Sequence, residues 1–435
     1  MYKLSKYIYF VEKDNIVMVM TLLNQNIFGL MREKADILRY SDLNELEKTQ
    51  GMFFSAMKKL GVIVDADLDE LNEVKFRNRQ AIFADRSYRL TINPTLNCNF
   101  SCWYCYENHP EGRMSDETVK QVMKHLKNKI EKEKIPALNL DWFGGEPFMY
   151  FDEVVVPISK KAVNLAKKYN IGFSNSATTN GYLLNEARVR QCKELGFNNF
   201  QITLDGNKKL HDKIRFLKDR TGSFDKIVEN INFIAEIIDK VSVALRINYT
   251  EKTLQELDDI IPFFSEKAKS KILILFQQVW QDSFKKQVDS SEVSDKFKAN
   301  GFKIREYTPN VAGSVCYADK ENQAVINYDG KVFKCTARDF HTYPEDGILL
   351  KNGIIEWNNH FISKRLGIST FENKYCLDCN LLPACYGPCS QKMMEFNGSK
   401  EDFLRICYKG GVVQILERMM NEYYENEIKY KIQAS

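Results

Sequence analysis

From Tyr88 to Gln277 the chain repeats one pattern: a short apolar, strand-like run followed by an amphipathic stretch of helical period. The runs that read as strands are Tyr88–Thr95, Leu138–Trp142, Ile171–Thr178, Asn199–Leu204, Val241–Asn248 and Ile272–Gln277. Helical spacing marks Asp116–Glu133, Asp152–Lys168, Asn185–Leu195, Phe224–Ile238 and Thr253–Ala268 between them. In the first of these, Val119, Val122, Met123, Leu126 and Ile130 share one face, with lysines on the other. Strands that alternate with crossover helices pair in parallel, because a parallel pair cannot be closed by a tight turn. The pattern therefore predicts an open or partial α/β barrel, with its chemistry where strands end and the following loops begin.

The loop after the first strand carries the sharpest signal. Residues 91–107 read TINPTLNCNFSCWYCYE, which spaces Cys98, Cys102 and Cys105 as Cys-x3-Cys-x2-Cys. Cubane iron–sulfur clusters are normally held by four cysteines, so three thiolates leave one iron open for another ligand. Tyr104 stands just before the last of them. After the second strand comes Gly144-Gly145-Glu146-Pro147, where two glycines allow close backbone approach and Glu146 offers an acceptor. Thr178-Thr179-Asn180-Gly181 and Thr203-Leu204-Asp205-Gly206 close the third and fourth strands. Polar residues at such ends suit a ligand's hydroxyl and carboxylate groups; as loop residues they also cap backbone groups.

A second cysteine set lies further on. Cys316 is followed by Gly330 and, after four residues, Cys335; then come Cys376, Cys379, Cys385, Cys389 and Cys407. Four-ligand zinc sites would account for much of this spacing. The odd total of 11 cysteines, nearly all in motif-like spacing, suits metal ligation in a reducing compartment better than disulfides. Cys192, in the helical stretch Gln-Cys-Lys-Glu-Leu-Gly, reads as a buried small hydrophobe. His109 and His125 lack metal-type spacing and read as structural or solvated.

The three-cysteine loop, followed one unit later by Gly-Gly-Glu-Pro, resembles the radical S-adenosylmethionine (radical SAM) family. The seven later cysteines resemble the SPASM extension of members that modify peptides and proteins. The resemblance covers about Tyr88 to Cys407 and implies a partial (β/α)6 TIM-like radical SAM barrel with a cysteine-rich iron–sulfur domain behind it. It implies S-adenosylmethionine as cofactor, cleaved by an electron from the cluster at Cys98, Cys102 and Cys105 to give a 5′-deoxyadenosyl radical. Tyr104, Gly144, Gly145, Glu146 and Pro147 would meet the cofactor, with Thr203 and Arg215 toward its carboxylate and Asn180 and Asn248 toward its ribose. Two auxiliary [4Fe-4S] clusters are implied, making three in all. One would use Cys376, Cys379, Cys385 and Cys407, the other Cys316, Cys335 and Cys389. Fully ligated members place a further cysteine shortly after the first, and here none stands between Cys316 and Cys335. The second auxiliary site therefore closes on a non-cysteine group or keeps an iron open, and a substrate thiolate is a natural soft ligand for such an iron.

Residues 1–87 read as a small separate module plus linker. Lys3–Phe10 and Ile16–Leu23 look like strands, Ile27–Tyr40 and Leu43–Leu60 like helices, Val62–Val64 like a strand, and Asp65–Ser87 like a charged connector. This order suggests a winged-helix-like α+β domain, either capping the barrel or capturing an extended peptide by strand addition. The remaining divisions are a barrel at 88–279, an irregular connector at 280–315, the SPASM region at 316–410 and a C-terminal helix in 411–435, the amphipathic run Val412–Tyr430.

The N-terminal module resembles the leader-binding domain of ribosomal-peptide maturases, and the resemblance as a whole implies an oxidoreductase acting on a ribosomally made precursor peptide with a leader, most simply by cross-linking it through a thioether, carbon–carbon or carbon–oxygen bond. Epimerisation is the other outcome for such a peptide. A reducing donor such as a flavodoxin or ferredoxin is implied; no catalytic acid or base is assigned. A formylglycine-generating anaerobic sulfatase-maturating enzyme is the alternative in the same chemistry. That type lacks an N-terminal extension of this size, and its catalytic aspartate follows the cysteine of the Gly-x4-Cys step, where this chain has Thr336. A zinc-ribbon protein binding nucleic acid is the alternative of another class. It fits poorly with a net charge of only +4 from 62 basic and 58 acidic side chains. The first residues, MYKLSKYIYFVEKDN, hold no uninterrupted apolar segment, and no bilayer-length apolar run follows, so a cytoplasmic protein without membrane or nucleic-acid partners is expected.

Overall fold

The computed structural model describes residues 1–279, 288–305 and 315–429. They divide into two units. One comprises residues 1–85, 307–321 and 360–435; the other comprises 86–306 and 322–359.

In the first unit, β1 (Tyr2–Leu4) pairs antiparallel with β5 (Ile63–Asp65), and β2 (Ile8–Lys13), β3 (Ile16–Thr21) and β4 (Asn26–Met31) form an antiparallel meander. The chain is a strand over residues 26–31, where helix was expected from Ile27 onward; the helix begins only at Arg32 and runs to Tyr40. Pairing decides this, because Phe28 and Leu30 pack on the apolar cluster of Val19, Leu38, Phe54 and Met57. The charged stretch 65–87 is likewise no simple connector. It holds the helix Glu70–Phe83, capped by Asp69 accepting from the Asn72 amide, with Val74, Asn78 and Ile82 buried four residues apart. Strand β3 is buried on both faces. Val19 faces the helices, while Met18 and Met20 join a cluster with Phe371, Leu382, Leu416 and Met420 from the C-terminal part of the chain. The terminal helix Lys409–Tyr423 thus packs on the N-terminal meander as well as on the cysteine region; residues 430–435 lie outside the described residues.

In the second unit, β6 (Tyr88–Ile92), β7 (Ala137–Trp142), β8 (Gly172–Thr179), β9 (Phe197–Leu204), β10 (Ser242–Tyr249) and β11 (Ile272–Gln278) pair in parallel in sequential order. This is the parallel α/β sheet anticipated from the alternating pattern. Both edges are extended. Beyond β11 lies β12 (Lys303–Ile304); beyond β6 lies β13 (Gln323–Ile326), parallel to β6, then β14 (Lys331–Phe333), β15 (Gly347–Leu349) and β16 (Ile355–Trp357), all antiparallel. The connector expected at 280–315 contains the helix Ser291–Ala299 as well as β12; residues 280–287 and 306–314 lie outside the described residues. The helix expected at Thr253–Ala268 is broken into Glu251–Leu254, a tight 257–263 turn containing Pro262, and Glu266–Lys271, as a proline inside the run requires.

His125 illustrates how the sheet is held. Its Nε2 meets the Tyr88 hydroxyl at 2.7 Å and its Nδ1 donates to the Gly353 carbonyl at 2.9 Å, so the buried ring is neutral and fully partnered. Burial pushes its pKa down to about 4. The unfolded chain takes up the proton first as pH falls, so this contribution is intact above about pH 6.5 and is lost between there and about pH 4. Lowering pH from 7 to 5 should cost about 2 kcal/mol through this residue. A His125→Gln variant should lose less stability over the same interval, as read by denaturant midpoints; equal losses would refute the assignment.

Candidate functional site

The loop after β6 is built backbone against backbone. Asn93 N–H donates to Ile326 O of β13 at 2.9 Å, and the Thr95 hydroxyl accepts from the Asn97 amide at 2.9 Å. Behind it lies the loop after β7. Gly145 N–H donates to Thr95 O at 3.2 Å and Glu146 N–H to Asn97 O at 2.9 Å. A Cβ on Gly144, which has φ of +105°, would lie 2.4 Å from Thr95 O, and one on Gly145 would lie 2.2 Å from Asn97 O. The glycine pair therefore admits the cysteine loop itself, a function that a ligand-only reading of the motif misses.

Glu146 is fully buried and extends this scaffold to β8. Its carboxylate accepts from the Phe148 amide at 3.0 Å, the Thr179 hydroxyl at 2.8 Å and the Asn180 amide at 2.7 Å. Burial raises its pKa and these donors oppose the rise. Pro147 opens the short turn 147–150 that follows. Asn180 in turn donates to Asn99 Oδ1 at 2.7 Å, and its amide nitrogen lies 4.0 Å from Cys98 Sγ.

A second group surrounds Tyr104. Its hydroxyl donates to Asp205 Oδ2, and it accepts from Arg215 Nη1 at 2.7 Å and from Asn248 Nδ2 at 3.2 Å. Arg215 lies 3.9 Å from the same carboxylate, with its guanidinium over the Phe100 ring. Asp205 Oδ1 and Arg215 Nε are both buried without a hydrogen-bond partner. An acceptor and a donor left over in one buried network mark a place for a polar ligand. Burial pushes the Asp205 pKa up against the pull of Arg215, which itself stays charged. Asp205 was visible only as part of Thr-Leu-Asp-Gly; Thr203, favoured from the sequence, is half-buried on β9 two residues earlier. The neutral His211 ring holds the Asp205 turn, accepting from the Asp205 amide at 3.2 Å while its other nitrogen meets the Ser223 hydroxyl at 2.9 Å.

The three motif cysteines are free thiols whose pKa values are raised by burial, Cys98 to about 12. Ionisation is thus coupled to binding a metal. Past Cys105, the Tyr106 hydroxyl donates to Thr336 O at 2.8 Å, and Asn108 N–H donates to Asp339 Oδ1 at 3.1 Å. The motif loop and the loop after Cys335 are therefore tied together. His109 is structural, its Nδ1 donating to Leu96 O at 2.8 Å, and Cys192 is fully buried.

In the first unit Cys376, Cys379, Cys385 and Cys407 line one cavity of about 390 Å³. The other three thiols each help raise Cys385, after burial, to about 11. Cys316, Cys385 and Cys389 line a neighbouring cavity of about 250 Å³, which shares Gly387, Pro388 and Tyr408 with the first. Among the described residues no three His, Cys, Asp or Glu side chains converge as ligands of a single ion. The quartet lines open space instead, and four thiols on one cavity are the kind of donor set that holds an iron–sulfur cluster. Cys335 follows β14 in the second unit.

Residues 92–263 match the model of the Radical SAM superfamily. A cysteine-type anaerobic sulfatase-maturating enzyme of Clostridium novyi is 31% identical over 196 residues, which is 42% of this chain and 49% of that protein. A tungsten-containing aldehyde ferredoxin oxidoreductase cofactor-modifying protein of Pyrococcus furiosus is 24% identical, covering 59% of this chain and 72% of that one. The chain thus spans about half the length of the first of these relatives. Among solved structures, native anSMEcpe with bound AdoMet superposes with a TM-score of 0.52 at 18% identity, covering 76% of this chain and 99% of that one. Streptococcus suis SuiB bound to its precursor peptide SuiA gives 0.50 at 15% identity, covering 93% and 98%. At these identities the structural likenesses establish the fold. No helix among the described residues is long and apolar enough to cross a membrane.

Proposed function

We propose that this chain, whose residues 92–263 match the Radical SAM superfamily, is a radical SAM enzyme that modifies a ribosomally made precursor peptide, most simply by an oxidative intramolecular cross-link. The observation that carries the peptide reading lies in the first unit. The residues that line the two cysteine cavities share that unit with a meander whose β4 is an edge strand among the described residues. An edge strand accepts an extended segment by main-chain hydrogen bonds, which suits a leader. Met31 at its end and Met52 on the nearby helix Gly51–Lys59 are exposed and offer apolar surface for side chains.

In this reading the cluster held by the motif thiolates would supply, when bound, the electron that turns S-adenosylmethionine into a source of a carbon radical able to take hydrogen from an unactivated C–H bond. The protein's own residues hold and orient. Cys98, Cys102 and Cys105 ligate, Gly144 and Gly145 seat the loop, and Pro147 opens the turn that follows. Glu146 fixes Thr179 and Asn180, while Arg215, Asp205, Tyr104 and Asn248 offer the unfilled donor and acceptor. The seven later cysteines hold the auxiliary iron, and a small reducing protein such as a flavodoxin or ferredoxin supplies electrons. A sulfatase-maturating activity has less support. Thr336 stands where that type has its aspartate, and the nearby Asp339 carboxylate is engaged by Asn108, His341 and Thr342.

The test is mass spectrometry on a short cysteine-bearing peptide encoded beside the gene, incubated anaerobically with reconstituted enzyme, reductant and S-adenosylmethionine. Loss of two hydrogens per event is expected, with fragmentation placing the bond. An unchanged mass with deuterium gained from heavy water would replace cross-linking by epimerisation. Conversion of a cysteine or serine to formylglycine would overturn the cross-linking reading in favour of the sulfatase-maturating one.

A further inference from the structure

The cavity lined by Cys316 and Cys389 also contains a buried pair of opposite charges. Arg365 is 4% exposed and lines this cavity together with Asp319, Cys316, Cys385 and Cys389. Its guanidinium donates to two neutral oxygens, Ser390 Oγ at 3.0 Å and Gln391 Oε1 at 2.6 Å. The Asp319 carboxylate stands 3.8 Å from Nη1, beyond hydrogen-bonding distance. Both partners belong to cysteine-bearing segments: Ser390 follows Cys389, and the Asp319 amide donates to Cys316 O at 3.0 Å.

A guanidinium removed from water and met mainly by neutral oxygens is costly unless negative charge lies close by. The Asp319 carboxylate supplies part of that charge; free thiols add none, and thiolates on iron would add more. We propose that Arg365, opposed by Asp319, sets the reduction potential of the auxiliary cluster that Cys316 and Cys389 help to hold. Uptake of one electron makes a thiolate-ligated cluster more negative by one charge. A fixed cation in a low-dielectric cavity stabilises that form and raises the potential, and a neighbouring carboxylate lowers it. Arg365 touches neither substrate nor reacting atoms and is a positioning residue. Lys392, over the Tyr408 ring at 5.6 Å, is exposed to solvent and therefore screened. The inference rests on the reading that Cys316 and Cys389 ligate iron, and it is independent of which peptide is the substrate.

The experiment is an anaerobic dithionite titration followed by electron paramagnetic resonance. It uses the reconstituted full-length chain carrying Cys98→Ala, Cys102→Ala and Cys105→Ala, so that auxiliary iron alone reports. The relevant signal is the one that disappears when Cys316→Ala is added. Arg365→Gln should lower its potential by at least 59 mV, a tenfold change in the oxidised-to-reduced ratio of a one-electron couple. Asp319→Asn should raise it, and Arg365→Lys should retain most of the original value. Unmoved potentials, or shifts of one sign in Arg365→Gln and Asp319→Asn, with iron content unchanged, would overturn the proposal. If Arg365→Gln does not retain iron, Asp319→Asn decides alone, and an unmoved potential there is a refutation. Full iron retention in both Cys316→Ala and Cys389→Ala would remove the ligation reading and this inference with it.

Discussion

Protein in which Cys98, Cys102 and Cys105 are all alanine is expected to release no 5′-deoxyadenosine from S-adenosylmethionine while keeping its other iron. The three thiols lie on one loop, anchored through Thr95 and Asn97 to the Gly144–Glu146 backbone. The later cysteine quartet lies in a different unit with its own apolar cluster of Phe371, Leu382 and Leu416. Loss of the motif cluster should therefore leave the first unit folded and the auxiliary cavities intact. On the proposed count of three cubanes in the parent, about eight of twelve irons should remain. Cofactor cleavage that survives in this variant would refute the motif assignment outright. Loss of all iron would show instead that the auxiliary sites need the motif loop to assemble.

Arg215→Ala should be the most damaging single substitution near the same loop. It removes the cation from a carboxylate, Asp205, that is 1% exposed and already short of one hydrogen bond. Breaking a buried pair by deleting one member costs roughly 3–5 kcal/mol, because the surviving charge is left uncompensated. Denaturant unfolding of the metal-free chain should show that loss. Adding Asp205→Asn should recover much of it, since the orphaned charge is then gone. Cofactor affinity should not recover in the double variant, because Arg215 Nε, one of the two unfilled groups, is absent. Full recovery of both properties would mean that Arg215 is only a structural ion-pair partner.

The local patterns were legible from the residues alone. Strand and helix periods repeat within a few residues of each other, so the order of β6 to β11 follows from apolar spacing. Cys-x3-Cys-x2-Cys and Gly-Gly-Glu-Pro are likewise contiguous, and their chemistry can be read where they stand. Misreadings arose where distant segments decide. Residues 26–31 are a strand because Phe28 and Leu30 pack on Leu38, Phe54 and Met57, and 70–83 is a helix with only a narrow buried stripe of Val74, Asn78 and Ile82 to advertise it.

The sequence by itself determined an α/β sheet, a three-thiol loop at the end of its first strand, and a later set of metal-suited cysteines. Only the tertiary structure decided what the neighbouring groups do. It turned the glycine pair into a seat for the cysteine loop and engaged Glu146 with Thr179 and Asn180. It also made Asp205 the partner of Tyr104 and buried Arg365 beside Cys316 and Cys389. The physical reason is range. Periodicity and motif spacing act over a few residues, whereas the burial of a charge and the satisfaction of its hydrogen bonds depend on segments tens to hundreds of residues apart.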